Sequence, residues 1–316
     1  MEDMVERMPF GPTRLEQWRV AGVELGGTKC VAVLAPGAGA IEEQVVVPTT
    51  DPDTTLDALA GVLDRWWQDL GFAAVGIASF GPLNLDPAAA EYGQVTTTSK
   101  PGWNGAEVLQ RLAGRYPVPS AFDTDVNGAA LAEGRWGATR GLDDYAYITV
   151  GTGVGVGLIV NGQPTRGFGH CELGHVRVAR LPEADWDGSC PYHGACVEGL
   201  ASGTALAARL KALNLITPPG PDHPFWNEVV DVLAQLCAML VLASAPRRIL
   251  IGGGVANGQP HLLRRVDARL RECLAGYVAL PAGIGDYIVP PGLGDLAGPL
   301  GPVAMALAIE EQVASV

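Results

Sequence analysis

The chain has 316 residues, of which 48% are apolar and 17% are charged, a balance typical of a globular protein and not of a disordered one. Its formal net charge of −13 argues against nucleic-acid and anionic-membrane partners, because their phosphates would be repelled. No apolar run is long enough to predict a membrane span. Six cysteines in so long a chain do not indicate a disulfide framework, so we expect a cytoplasmic protein.

The first half of the chain predicts an α/β domain preceded by a short leader. Residues 1–18 contain acidic residues and no apolar core, so we expect a disordered leader and not a signal peptide. The elements that follow are a hairpin at 20–33, a helix at 56–70, strands at 73–80 and 117–122, and a helix at 125–137.

The second half repeats this opening. Its elements are a hairpin at 146–160, helices at 203–213 and 224–243, a strand at 248–251 and a helix at 302–312. Because each half opens with a strand, a glycine turn and a strand, the pattern indicates a duplication. We expect an N-terminal domain at 19–137 and a C-terminal domain at 138–316, with a ligand-binding cleft between them.

A cluster of thiols and imidazoles between residues 169 and 203 predicts a metal site. Cys190, His193 and Cys196 are spaced three residues apart, and His175 lies 15 residues upstream. Two sulfur and two nitrogen donors complete the tetrahedral shell that zinc prefers and leave no open position for water. The pattern therefore favours a structural zinc over a catalytic one. The alternative is a loop with two buried thiols.

Two glycine turns are candidate phosphate sites. The motifs LGGTK (25–29) and VGTGVGVG (150–157) occupy equivalent places in the two halves, and a third glycine run at 252–254 follows a strand. Consecutive glycines let backbone N–H groups surround an anion, although each turn alone also fits an ordinary hairpin. Lys29 is one of three lysines and could contact a phosphate. Glu24 is a candidate magnesium ligand or, alternatively, a solvated strand residue.

The motif DTDVN (123–127) carries the acid–base candidate. Asp125 could accept a proton from a hydroxyl nucleophile, as bases do in phosphoryl transfer. Alternatively Asp123, Thr124 or Asp125 only caps the helix, and the two roles could be divided among these residues. Glu172, His175 and Glu198 lie close to the metal-ligand candidates, where a braced loop could fix polar groups for sugar hydroxyls.

Taken together, these motifs resemble the ROK family of sugar kinases, in the actin/hexokinase-like (ribonuclease H-like) superfamily, and especially its bacterial fructokinase branch. The motifs that carry the resemblance are GVELGGTK (22–29), IASFGPL (77–83), TTSKPGWN (97–104), FDTDVNGAALAEGRWGA (122–138), TVGTGVGVG (149–157), ELGHV (172–176), CPYHGACVEGLASG (190–203), ILIGGGV (249–255) and DYIVPPGLGDLAGPLG (286–301). They cover nearly the whole chain after the leader.

The resemblance implies a two-domain fold with an interdomain cleft and ATP-dependent phosphorylation of a hexose by a homodimer that uses magnesium and a structural zinc. It makes Asp125 the general base. The implied sugar contacts are Asn104, Thr124, Asp125, Glu172, His175 and Glu198. The implied nucleotide-binding residues are Gly26, Gly27, Thr28, Lys29, Gly151, Thr152, Gly153, Thr204, Gly252 and Gly253.

Departures from the family pattern bear on the substrate. Glu24 stands where most members have aspartate but matches the fructokinase branch, and Thr124 replaces the asparagine of many glucose-type members. The motif CPYHGAC also differs from the CxCGxxGC of glucose-type members, which favours fructose, with mannose as a secondary substrate. Cys171 and Thr204 stand where the branch has proline.

The alternatives are a kinase for mannose or another hexose and a non-catalytic sugar sensor. The family's repressors carry an N-terminal helix-turn-helix domain. The 18 residues before the first strand are too few for such a domain, and the chain is acidic.

Overall fold

The computed structural model describes residues 19–37, 39–281 and 286–314. The predicted leader, residues 1–18, lies outside the described residues.

The first lobe is built on a five-stranded mixed sheet in the order β3-β2-β1-β4-β5. The strands are β1 (Arg19–Leu25), β2 (Lys29–Pro36), β3 (Glu43–Pro48), β4 (Ala74–Ser79) and β5 (Ser120–Thr124). β1, β2 and β3 form an antiparallel meander, whereas β4 and β5 run parallel to β1. Helices α1 (Pro52–Asp69) and α2 (Val108–Leu112) bury apolar side chains such as Leu59 and Leu112 against one face of this sheet.

The second lobe repeats the same connectivity in a sheet of order β10-β9-β6-β7-β8. The strands are β6 (Tyr145–Val150), β7 (Val154–Val160), β8 (Gln163–Pro164), β9 (Ile249–Gly252) and β10 (Ile288–Val289). Again three strands form an antiparallel meander, and two further strands run parallel to the first. The duplication inferred from sequence and the two-lobed α/β fold are confirmed.

Seven further helices complete the described fold. They are α3 (Asp125–Trp136), α4 (Val197–Ala201), α5 (Gly203–Ala212), α6 (Phe225–Ser244), α7 (Gly254–Gly258), α8 (His261–Leu274) and α9 (Ala297–Ala314). α4, α6 and α8 share an apolar core with one face of the second sheet. α6 has the length and apolar composition of a membrane span, with a mean hydropathy of 1.5, but 78% of its apolar window is buried inside the protein. It is therefore explained as a core helix, and the expectation that no apolar run reaches the length of a membrane span is wrong for this helix.

α3 and α9 pack against each other between the two sheets. α3 lies on β6 and β7, and α9 lies on β1, β2 and β4. Their contact needs small residues, since a Cβ on Gly301 would come within 2.6 Å of the Gly128 carbonyl carbon. The domain boundary between residues 137 and 138 stays a proposal. α9 belongs to the predicted C-terminal domain but packs on the sheet of the first lobe.

Candidate active site

Asp123, Thr124 and Asp125 lie at the junction between β5 and α3, and each has different hydrogen-bond partners. Thr124 is the helix N-cap, and its hydroxyl accepts a hydrogen bond from the Asn127 amide at 3.2 Å. Asp123 is buried, and its two oxygens accept from the Asn127 side chain at 2.8 Å and from Arg166 at 2.6 Å. Capping and ion pairing are thus assigned to Thr124 and Asp123, which leaves Asp125 for another role.

The Asp125 carboxylate is half-buried and, among the residues that the structure describes, accepts one hydrogen bond, from the Val126 amide at 2.8 Å. Loss of solvent raises its pKa to about 6, the Val126 amide opposes this rise, the Glu172 carboxylate adds to it, and His170 opposes it. Among the described residues, no cationic side chain lies within 4.0 Å of Asp125. A carboxylate with a free oxygen and a pKa near neutrality can act as a general base.

The loop between β8 and α4 carries His170 and Glu172, the two residues whose charges act on the pKa of Asp125. The His170 Nε2 atom accepts a hydrogen bond from the Leu83 amide of the first lobe at 2.9 Å, and its Nδ1 atom lies 3.5 Å from a Glu172 oxygen. Burial raises the pKa of Glu172, and the charges of His170 and His175 oppose that rise. Residues 165–171 line a cavity of about 250 Å³. Sequence reasoning did not select His170, whose only signal was its place in the histidine-rich stretch.

The four predicted metal ligands converge. One donor atom from each of His175, Cys190, His193 and Cys196 lies within 4.8 Å of the others. The Cys190 sulfur is 3.6 Å from His175 Nδ1 and 3.7 Å from His193 Nδ1, and the Cys196 sulfur is 3.8 Å from His175 Nδ1. Bonds of about 2.3 Å to sulfur and 2.0 Å to nitrogen place neighbouring donors of a tetrahedral zinc about 3.6 Å apart. The donor set therefore fits a four-coordinate zinc.

Glu198 connects this cluster to the second glycine turn. One of its oxygens lies 4.0 Å from His175 Nε2, and the other accepts a hydrogen bond from the Val154 amide at 3.0 Å. A Cβ on Gly153 would meet the Glu198 carboxylate at 2.5 Å. Glycine at position 153 therefore allows the carboxylate to pack against the turn.

Both glycine turns expose backbone amides. In the first turn the Gly26 amide is bonded to the Lys29 carbonyl at 3.1 Å, while Gly27, Thr28 and Lys29 are exposed. In the second turn the Gly151 amide is bonded to the Gly153 carbonyl at 2.9 Å. Within the described part of the chain, the amides of Gly27 and Thr28, and likewise of Thr152 and Gly153, have no hydrogen-bond acceptor. Such turns can hold an anion.

Two further predicted residues border these turns. The Thr204 hydroxyl donates to the Thr152 carbonyl at 2.8 Å, so Thr204 supports the second turn. Gly253 has a φ of +90°, and a Cβ there would lie 2.7 Å from the Val150 carbonyl oxygen. Gly252 pairs with Thr149 at the carboxyl end of β9, which places the third glycine run beside the second turn.

Glu24 lies at the carboxyl end of β1, packed against Gly298 of α9. Burial raises its pKa to about 7, the Asp125 carboxylate adds to the rise, and Lys29 opposes it. Carboxylate oxygens are the ligands that magnesium prefers, so Glu24 stays a candidate ligand. Asn104 differs from the other predicted residues: its side chain is exposed, and its oxygen accepts from the Thr98 amide at 2.8 Å within its own loop.

The ROK family profile matches residues 20–310 of the chain. The chain belongs to the ROK family. Among curated relatives, it is 38% identical over 289 residues to a fructokinase of Pediococcus pentosaceus, covering 92% of this chain and 98% of the relative. It is 40% identical over 295 residues to a fructokinase of Zymomonas mobilis, covering 92% of this chain and 97% of that protein.

A solved structure supports the same family fold. The ROK glucokinase of Streptomyces griseus, determined in complex with glucose and AMPPNP, superposes with a TM-score of 0.71 and 26% identity over 91% of this chain and 99% of that one. The predicted family resemblance and the fold that it implied are confirmed.

Proposed function

We propose that this ROK protein transfers the γ-phosphate of ATP to a hexose, most favourably converting D-fructose to fructose 6-phosphate. The observation that carries the proposal is Asp125, a carboxylate with one unbonded oxygen and a pKa raised to about 6, in a chain with two anion-compatible glycine turns. Similarity to proteins named fructokinase supports fructose among the hexoses.

In this proposal Asp125 accepts the proton of the attacking sugar hydroxyl, and a pKa near the working pH suits that transfer. The amides of the two glycine turns stabilise the charge that spreads over the phosphate oxygens. Gly252, Gly253 and Thr204 border the nucleotide. Thr124, Glu172, His175, Glu198 and Asn104 are the proposed sugar contacts.

Two metal ions belong to the proposal. A magnesium ion, when bound near Glu24, would neutralise phosphate charge. We infer that the cluster of two thiols and two imidazoles holds zinc, because its donor distances match a tetrahedral shell. Zinc there would brace the loop that carries Glu172 and the start of α4, which carries Glu198. We further propose a cytoplasmic homodimer, on the strength of the family resemblance.

A coupled ADP-release assay tests the function. Purified protein loaded with zinc is given ATP, magnesium and, in separate reactions, fructose, mannose, glucose and N-acetylmannosamine. Turnover that is fastest with fructose is the expected result. Dominant turnover of mannose would correct the substrate and keep the chemistry. Folded, zinc-loaded protein that turns over no sugar would refute the kinase and favour a sugar sensor.

A further inference from the structure

Lys100 places a positive charge directly on the first glycine turn. Its Nζ atom donates a hydrogen bond to the Gly27 carbonyl at 2.8 Å, across 73 residues of sequence. The same atom lies 4.8 Å from the centroid of the buried Phe80 ring, a distance at which the ring face attracts a cation. These two contacts therefore hold the ammonium group in a defined position beside the turn.

The loop that carries Lys100 is itself anchored. Trp103 is 1% exposed, and its indole donates to the Thr50 carbonyl at 2.9 Å. The Trp103 amide is hydrogen-bonded to the Lys100 carbonyl at 3.3 Å, and Gly102 takes a φ of +80° to close the turn. A rigid loop of this kind fixes the lysine before any ligand arrives.

The Lys100 ammonium has no ionic partner among the described residues. No carboxylate oxygen of the described part lies within 4.0 Å of it, although the side chain is half-buried. Burial lowers the pKa of Lys100, and the Asp125 carboxylate opposes that change. An ammonium group has three donors, and Gly27 uses one. Two donors of a partly desolvated charge thus remain for an anion.

The Lys100 ammonium lies beside the turn proposed to bind phosphate and close to the proposed base, Asp125. Gly27 belongs to the turn whose Gly27 and Thr28 amides have no acceptor among the described residues, and the Asp125 carboxylate raises the pKa of Lys100 against the larger effect of burial. Lys29, which the sequence favoured as the phosphate contact, is exposed at the edge of the same turn. We propose that Lys100 binds the γ-phosphate of the nucleotide and stabilises the negative charge that this group carries during transfer.

This inference rests on the proposed kinase function and adds a residue to it. Lys100 would act mainly on turnover, because charge on the phosphate oxygens is stabilised by a donor already fixed in place. A purely structural lysine would instead hold the turn through Gly27 and affect stability. The two roles predict different measurements.

The test compares Lys100→Met with Lys211→Met, a matched control at the exposed end of α5. We expect kcat of Lys100→Met to fall about 10²-fold, as for other fixed donors in polar transition states. Its affinity for AMPPNP should fall at least about tenfold, while its affinity for ADP stays within about twofold. Lys211→Met should match the wild type in all three quantities. Added methylamine should partly restore turnover to Lys100→Ala.

Each other outcome is informative. Wild-type kcat and wild-type AMPPNP affinity in a folded Lys100→Met protein would overturn the inference and leave the kinase proposal intact. A loss of activity that only parallels a lowered melting temperature, with no methylamine rescue, would also overturn it in favour of a structural role. If the wild type turns over no sugar, the function fails, and the comparison of AMPPNP with ADP still decides whether Lys100 binds a γ-phosphate.

Discussion

Asp123 and Asp125 are two residues apart, yet their carboxylates have opposite surroundings. Asp123 is paired with Arg166 and Asn127, whereas Asp125 has one backbone hydrogen bond and a pKa raised to about 6. Removing one partner of a buried ion pair leaves the other charge uncompensated and destabilises the fold, whereas an unpaired buried carboxylate is itself unfavourable when charged. Their substitutions should therefore separate catalysis from folding.

We expect Asp125→Asn to lower kcat by about 10³-fold, within the range for loss of a general base. Wild-type kcat/KM should fall as pH drops through about 6 to 7, since protonation of Asp125 removes the proposed base and the pKa of Glu24 is raised to about 7. Initial rates between pH 5 and 9 measure both effects.

The contribution of Asp125 to the free energy of unfolding should depend on pH in the opposite direction to kcat/KM, falling as the pH rises. The folded-state pKa of Asp125 lies above its ordinary value, so the folded state binds this proton more tightly. The resulting stability is complete below the unfolded pKa and is lost as pH rises through about 6. Asp125→Asn should therefore melt no lower than the wild type at pH 8, whereas the control Asp123→Asn should be destabilised. Retained activity in Asp125→Asn would contradict its role.

The metal cluster gives a second prediction at this scale. Cys190→Ser removes one of four converging donors, so we expect zinc content to fall from one ion per chain and the melting temperature to drop. Elemental analysis and calorimetry measure the two changes. Cys273→Ser, outside the cluster, is the control and should keep its zinc. Stoichiometric zinc in Cys190→Ser with an unchanged melting temperature would contradict the assignment.

At the scale of elements, the contact between β4 and α9 depends on a glycine, Gly76, which has no side chain. A Cβ on Gly76 would collide with the carbonyl oxygen of Pro302, which is backbone and cannot rotate away. Gly61, on the exposed face of α1, has open space around it. The same substitution should therefore have opposite effects at the two sites.

We expect Gly76→Ala to destabilise the protein by about 3 kcal/mol, because an overpacked contact must move a helix. Gly61→Ala should stabilise it by about 0.5–1 kcal/mol through helix propensity. Urea denaturation of both variants measures the difference. Equal stability of the two variants would show that α9 is not packed on β4 as described.

The elements that sequence predicted well are those encoded locally. Both hairpins, helix 125–137 and the convergence of the four cysteine and histidine side chains follow from periodicity, capping residues and spacing within about 35 residues. β3 and α8 were not predicted, although β3 alternates strictly in exposure and α8 buries apolar residues at the helical spacing 262, 266, 270 and 274, so the periodic signal of each was present in the sequence. Lys100 was missed for a different reason: its partner Gly27 is 73 residues away, and only the folded chain brings them together.

At the scale of the whole molecule, two separate chain segments cross between the lobes beside each other. The segment after α3 contains Gly137 and Ala138, and the segment before α9 contains Gly292, where a Cβ would lie 2.7 Å from the Ala138 amide nitrogen. Glu133, fully buried in α3, joins them. Its carboxylate accepts hydrogen bonds from the amides of Ala138 at 2.7 Å, Gly292 at 2.9 Å and Leu293 at 2.8 Å.

The Glu133 carboxylate thus binds the backbone of both segments that connect the lobes. We therefore expect Glu133→Ala to destabilise the protein by about 3–5 kcal/mol. Three backbone amides, those of Ala138, Gly292 and Leu293, would lose a charged acceptor. Glu133→Gln should lie between Ala and wild type, because its amide group presents a donor where an acceptor is needed. Urea denaturation measures the series, with exposed Glu183→Gln as the control. Under the proposed function the crossings set the position of Asp125 relative to the glycine turns of both lobes, so kcat should fall in the same order in protein that remains folded. Wild-type stability in Glu133→Ala would mean that the α3–α9 contact alone holds the lobes in register.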